Sequence, residues 1–339
     1  MTITGGSIVA NRYRLRRFLG RGAFGEVWEA EDQHRGHTVA IKFLGHRNRT
    51  LAWREASLLT ALESPYILKV NNADVVVDVP YLDTALADCS VDKMSEPYGI
   101  EPRRAVDWIR RALRGLDLCH RRHLLHRDVK PANIFLIKPD EIRLGDFGVA
   151  ALMDANGTAD PGGDPRIMAP ELFTGSRASV ASDIYSAAVT LYALLAGRNP
   201  FAQIKVQADL QAAIVQGNYP ALRDVAPHVS VALAAKVRTG MNVDPTRRYA
   251  SATAFDGQLV LPRRDRQFEP ASPHAGHLRC WDVSGRGAAM SVCVTSNASG
   301  QFDVETKRVS AGTKVRKHCF SSRASQLSKD LRKVFNDFR

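Results

Sequence analysis

From Tyr13 to about Val79, short β-prone runs alternate with turn residues: YRLRRFLG, EVWEAED, HTVAIKFLG, then ILKV and DVVVDV, with helical spacing interposed from about Trp53 to Leu62. This predicts a small sheet carrying one helix. From Pro102 the apolar positions recur at three- and four-residue intervals, in AVDWIRRALRGLDLCHRR, DIYSAAVTLYALLAG, VQADLQAAIVQG and VSVALAAKVRTGM, so a mostly helical lobe is expected to follow. The stretch that begins PRRDRQFEPASP is rich in proline and charge and reads as a linker over 262–276. Beyond it, LRCWDV, AAMSVCVTS and FDVETKRV read as strands and RASQLSKDLRKVFNDF as a helix, a small β-rich module over 277–339. The predicted class is α+β: a first lobe over 10–94, a helical lobe over 95–261, and the small C-terminal α+β module.

Composition narrows the classes. The chain has 339 residues, 45% of them hydrophobic, enough for sizeable cores. Its formal charge of +12, concentrated after about residue 262, favours anionic partners without naming a reaction. The five cysteines contain no CxxC pair, which speaks against a zinc site or a disulfide framework and for a reducing cytoplasm. The N-terminal stretch lacks a continuous apolar core, and the most apolar run, Ser186 to Gly197, is too short to span a bilayer; no membrane association is expected.

The chemistry-bearing residues fall in an ordered series. Gly20, Gly22 and Gly25 precede Val27, and glycines at this spacing let backbone N–H groups approach phosphates. A strand, not a helix, follows them, which disfavours a dinucleotide fold. Val39-Ala40-Ile41-Lys42 ends an apolar strand on a lysine. HRDVKPANIF then sets Asp128, Lys130 and Asn133 before another apolar run, LGDFGVA holds Asp146, and MAPE follows at Met168 to Glu171. Alone, each piece has a plain structural explanation: a hairpin, an edge lysine, a solvated turn.

Taken together and in order, GxGxxGxV, VAIK, HRDxKxxN, DFG and APE resemble a eukaryotic-like serine/threonine protein kinase of bacterial type over about residues 10 to 262. The resemblance implies a bilobal protein kinase-like fold with ATP and Mg²⁺ in the cleft. Gly20, Gly22, Gly25, Val27 and Ala40 would enclose the nucleotide, and the backbone of Ala85 to Ala87 would meet adenine beside Thr84. Lys42 would hold the α- and β-phosphates and pair with Glu55, or with Glu63 as the alternative. Asn133 and Asp146 would ligate Mg²⁺, whose preference is for hard oxygen donors. Asp128 would orient the substrate hydroxyl and take its proton, and Lys130 would steady the γ-phosphate. Asp183 and Arg248, the latter paired with Glu171, would be scaffold.

Two departures from the family pattern shape the functional expectation. Asp164 stands where a threonine is usual, and its carboxylate is expected either to pair with Lys130 or to repel Asp128. Thr158 is the only hydroxyl side chain between DFG and APE, and Arg127 needs an anionic partner. The expectation is autophosphorylation at Thr158, with permanent neutralisation by Asp154 or Asp160 as the competitor. A protein substrate is implied, with a pseudokinase sensor or scaffold as the rival. Nucleic acid is a further candidate partner through KVRKHC and the basic last helix, although a solvated face is the plainer reading and Trp281 reads as core. The Asn297-Ala298-Ser299 sequon is read as fortuitous.

Overall fold

The computed structural model describes residues 4–22, 25–44, 60, 62–138, 140–261 and 266–339. The first lobe is a six-stranded antiparallel sheet of β1 (Ile8–Val9), β2 (Tyr13–Gly22), β3 (Gly25–Asp32), β4 (His37–Leu44), β5 (Val70–Val76) and β6 (Val79–Ala85), in the order β1-β2-β3-β4-β6-β5. Alternation along β3 and β4 buries Trp28, Ala30, Val39, Ile41 and Phe43 on one face against Tyr13, Leu15 and Tyr81. The run DVVVDV, expected as one strand, is instead split by a hairpin. Val77 and Asp78 both have positive φ, the requirement of a tight turn matched to strand twist, so the apolar run ends β5 and restarts as β6. The helix expected from about Trp53 lies almost wholly outside the described residues.

The connection to the second lobe runs through β7 (Cys89–Ser90) and α1 (Asp92–Ser95) into α2 (Pro102–Arg121). Glu101 caps α2 by accepting from the Arg104 N–H at 2.9 Å, and proline occupies the first turn, where its missing N–H costs nothing. Ala105, Val106, Ile109, Ala112, Leu113, Leu116 and Cys119 line its buried face. After β8 (Leu124–Leu125), β9 (Ile134–Lys138), β10 (Glu141–Leu144) and β11 (Ala151–Leu152) comes α3 (Val180–Ala196), buried continuously from Ser182 to Ala196. This is why its sequence is apolar all round: it is the central core helix. Next comes α4 (Gln207–Gln216), packed through Leu210, Ala213 and Ile214 on Phe201, and around α3 stand α5 (Leu222–Val225), α6 (Val231–Gly240) and α7 (Ala252–Gln258).

The C-terminal module is a five-stranded antiparallel sheet of β12 (Arg266–Ala271), β13 (Arg279–Gly285), β14 (Met290–Ser296), β15 (Phe302–Arg308) and β16 (Phe320–Ser322), in sequence order, crossed by α8 (Ala324–Asp337). Residues 266–271, expected within the linker, are therefore its first strand. Charge and proline obscured an alternation that buries Phe268 and Pro270, and an edge strand tolerates proline. Trp281 is core, packed with Phe268, Val283, Val292, Val304, Leu331 and Phe335. Several of the basic side chains expected to form an anion surface are paired with acids: Lys314 with Glu305, Lys317 with Asp337, Arg332 with Asp224 and Lys333 with Asp330.

The module docks on the helical lobe around His228. The Trp281 indole N–H donates to His228 Nδ1 at 3.2 Å, Phe335 stands edge-on to the imidazole, and Arg339 donates to the His228 carbonyl. Burial, then the charges of Arg279 and Arg339, push the imidazole from 6.5 down to about 3. A folded-state value below the unfolded one means that the unfolded chain binds the proton first. The stabilising contribution is thus complete above about pH 6.5 and is lost as pH falls towards 3, at about 1.4 kcal/mol per pH unit. Between pH 7.5 and 5, His228→Gln is expected to lose about 2 kcal/mol less than the parent in urea unfolding. Equal losses in the two proteins would remove His228 from the account.

Candidate active site

The glycine-bearing hairpin joins β2 to β3 with Gly20 opposite Val27 and Gly22 opposite Gly25. Gly25 has φ +136°, and a Cβ there would fall 1.7 Å from the Phe43 carbonyl oxygen, so the strand packing itself demands glycine. At Gly20 a Cβ would meet nothing within 4 Å. The space left at Gly20 therefore serves no packing of the described chain and suits a ligand approaching the backbone. Across the sheet Lys42 lies between Val27 on β3 and Leu82 on β6, and Ala40 opposes Thr84. The Thr84 hydroxyl lies within reach of the carbonyls of Ala40 at 3.5 Å and Ala85 at 3.4 Å, and Ala85 to Ala87 follow where β6 ends. Glu55 lies outside the described residues. Glu63, its alternative, is exposed and pairs with Lys69 at 3.0 Å.

Lys42 reaches across to the second lobe and forms an ion pair with Asp146. Burial alone would raise the Asp146 carboxyl, but the Lys42 ammonium outweighs it and holds the group below the usual aspartate range. The side chain of Phe147, the next residue, packs with Leu62, Ile67, Val70 and Leu124, fixing the turn on which Asp146 sits.

The loop from His126 to Asn133 brings the remaining polar groups together. Asp128, 2% exposed, accepts from the Lys130 ammonium at 2.9 Å and the Asn133 amide at 2.8 Å through Oδ2, and from the Asp164 backbone N–H at 3.0 Å through Oδ1. Asn133 also donates to the Asp128 carbonyl at 2.8 Å, which commits its nitrogen and leaves its amide oxygen as the donor atom for a cation. Buried Asp183 anchors the loop from α3. Its carboxylate accepts from the backbone N–H groups of His126 (2.9 Å) and Arg127 (2.8 Å), and it contacts His120 Nε2 at 2.9 Å. Burial lowers the His126 pKa, and the ring is neutral: Nδ1 accepts from the Asp128 N–H and Nε2–H donates to the Gly145 carbonyl. His126 thus ties the loop to the segment that carries Asp146. Neither His126 nor His120 was singled out from the sequence, although His126 opens the HRD motif.

Asp164 resolves in favour of pairing. Its carboxylate lies 3.6 Å from the Lys130 ammonium and its own N–H caps Asp128. Burial opposes the charge on Lys130, but Asp128, Asp164 and Asp146 together hold the ammonium above the usual lysine value. In the segment before it, Asp154 accepts from the N–H and the hydroxyl of Thr158 at 2.9 and 2.8 Å, and Arg177 contacts Thr158 (3.1 Å), Asp154 (3.4 Å) and Asp160 (2.5 Å). Arg127 donates to the Asp160 carbonyl at 2.6 Å rather than to its carboxylate. Gly163, at φ +100°, passes so close that a Cβ would lie 2.0 Å from the Arg127 carbonyl oxygen. Arg248 grips Glu171 with two bonds of 2.8 and 2.7 Å, as the resemblance implies.

A family profile described as "Protein kinase domain" matches residues 13–259. Among curated proteins the chain is 31% identical to the serine/threonine-protein kinase PknH of Mycobacterium bovis over 277 residues, covering 78% of this chain and 46% of that protein. It is 32% identical to PknD of Mycobacterium tuberculosis over 313 residues (89% of this chain, 46% of that protein) and 33% identical to PknE of the same species over 269 residues (75% and 47%). The chain thus spans a little under half the length of these relatives. Among the described residues no helix is long and apolar enough to cross a membrane. With a profile match that runs through both lobes, and with Lys42 and Asp146 joined across them, the chain belongs to the protein kinase family.

Proposed function

We propose that the chain transfers the γ-phosphoryl group of ATP to serine or threonine hydroxyls of a protein substrate, in the reducing cytoplasm that five unpaired cysteines suit. The observation that carries this reading is the meeting of Lys42, Asp146, Asn133, Asp128 and Lys130 between the lobes, each in ion-pair or hydrogen-bond contact with another. Phosphoryl transfer asks for positioning and charge neutralisation more than for covalent chemistry, and this donor set offers both. Lys42 would bind the α- and β-phosphates, releasing Asp146. Asp146 and the Asn133 amide oxygen are hard oxygen donors that would hold Mg²⁺, which supplies neutralisation of the triphosphate when bound. Asp128 would orient the acceptor hydroxyl and take its proton, while Lys130 would hold the transferred group. Transfer of labelled phosphate from Mg-ATP to protein serine or threonine, lost in Lys42→Ala, tests the proposal. No transfer by the parent chain to any protein acceptor, itself included, would overturn it.

The sensor or scaffold alternative drew its support from repulsion between Asp164 and Asp128. The N–H of Asp164 donates to Asp128 instead, and its carboxylate adds to the field around Lys130.

The contacts of Thr158 favour an activation segment that is held without phosphate. Asp154, Arg177 and Asp160 already form a closed set of ion pairs about its hydroxyl, and Ala159 pairs with Ala178 through two backbone bonds. Thr158→Ala is therefore expected to keep turnover within about threefold of the parent, a loss of under about 0.7 kcal/mol. A much larger fall, accompanied by phosphate on Thr158 in active protein by mass spectrometry, would restore the phosphate switch.

A further inference from the structure

The C-terminal module holds a cluster of metal-ligating groups remote from the interlobe cleft. His274, His277, Cys280 and Cys293 bring one donor atom each to within 4.8 Å of all the others. The spacing is His-x2-His-x2-Cys-x12-Cys. Local geometry explains the first three. After β12 the chain makes a turn closed by the His277 N–H on the His274 carbonyl at 2.9 Å, with Gly276 in the left-handed region at φ +77°, and β13 begins immediately afterwards. The turn folds both imidazoles over Cys280. The fourth group arrives by strand pairing, since Cys293 on β14 is the direct register partner of Cys280 on β13.

Three of the six separations match the nitrogen–sulfur edge of a tetrahedron around a metal. The His277 Nδ1 to Cys280 Sγ distance is 3.3 Å, His274 Nδ1 to Cys280 Sγ 3.4 Å, and His274 Nδ1 to Cys293 Sγ 3.6 Å. Zinc bonds of about 2.0–2.1 Å to nitrogen and about 2.3 Å to sulfur, at tetrahedral angles, place nitrogen and sulfur about 3.5–3.6 Å apart. The remaining three separations are all within 4.8 Å. The burial also fits. Cys280 and Cys293 are buried, His277 is partly buried and His274 is exposed, so the site is shielded on the sulfur side and open to metal entry on the histidine side.

We propose that His274, His277, Cys280 and Cys293 form a structural Zn²⁺ site that clamps the turn after β12 onto the β13–β14 pair. Both histidines bind through Nδ1, which leaves each Nε2–H towards its surroundings. Two thiolates and two neutral imidazoles make an uncharged centre with Zn²⁺, and loading releases the two thiol protons to solvent. All four positions carry side chains, so the site is closed to an added water and has no hydrolytic role. Its effect is on the module, whose small core is reinforced by a staple of the kind small domains use.

The test uses the full chain, purified under reducing conditions without chelator. One zinc per chain by elemental analysis is expected, falling to background in the Cys280→Ser/Cys293→Ser double variant. Because that variant can fail to fold, two further measurements stand beside it. Exposed His274→Gln is expected to weaken zinc retention against a competing chelator at least tenfold. Co²⁺ added to the metal-stripped parent is expected to give the visible bands of tetrahedral coordination with thiolate charge transfer in the near ultraviolet. Kinase activity is not the readout, so failure here is distinct from failure of the functional proposal. The inference is overturned by reduced parent chain that takes up no zinc, by equal zinc in the double variant, by octahedral Co²⁺ spectra, or by a Cys280–Cys293 disulfide in protein isolated from a reducing cell.

Discussion

Asp128→Asn is expected to slow phosphoryl transfer by about 10²–10⁴-fold while leaving nucleotide affinity nearly unchanged. The substitution keeps the volume of the side chain and one of its acceptor oxygens, so the N–H of Asp164 retains a partner. What it removes is the charge that pairs with Lys130 at 2.9 Å and, on the proposed mechanism, the capacity to take a proton from the acceptor hydroxyl. With the oxygen kept for Asp164, the new amide nitrogen faces both the Lys130 ammonium and the Asn133 amide, donors both, at a cost of about 1–3 kcal/mol in stability. Single-turnover rates measured beside ATP binding separate these effects. A variant that transfers phosphate within about threefold of the parent would remove Asp128 from the chemistry.

Asp183→Ala is expected to cost about 3–5 kcal/mol of stability, because it deletes one partner of a buried charged cluster. The donors left behind are the N–H groups of His126 and Arg127 and the ring of His120, all of which lose their acceptor at once. Arg127 has φ +61°, a conformation that costs a non-glycine residue about 1–2 kcal/mol and that the bond to Asp183 helps to hold. Release of that residue would move Asp128, so the activity of the folded fraction should fall as well. Urea unfolding of the parent and variant measures the first effect. A loss below about 1 kcal/mol would show that the loop is held by other means.

The division of the chain was legible because each lobe keeps its own period: two along β3 and β4, between three and four along α2. The polar constellation was legible because Asp128, Lys130, Asn133 and Asp146 sit close to one another in sequence beside the ends of short strands. Less visible were features decided by contacts between distant segments. The valines of DVVVDV favour a strand, yet the register of β5 against β6 places a turn at Val77 and Asp78 inside it. Arg266–Ala271 carries charge and proline, and only its pairing with β13 makes it a strand. The role of Asp164 depended on which of its atoms faces Asp128, something composition does not contain. Cysteine spacing spoke against a zinc site because it counts sulfur alone, whereas two of the donors gathered in the module are histidines and the last sulfur arrives through strand pairing.

The seat of His228 also sets an order of events in the life of a newly made molecule. Its covering residues, Trp281 and Phe335, come from segments well downstream in the chain. At the usual pace of about 5–20 residues per second, the interval between synthesis of His228 and of Phe335 is on the order of 5–20 s. The helical lobe has its full sequence before that interval ends, so for part of it the lobe stands without the Trp281 and Phe335 contacts to His228. Arrival of α8 completes that cover, so the surface of the helical lobe around His228 depends on both β13 and α8 having been made.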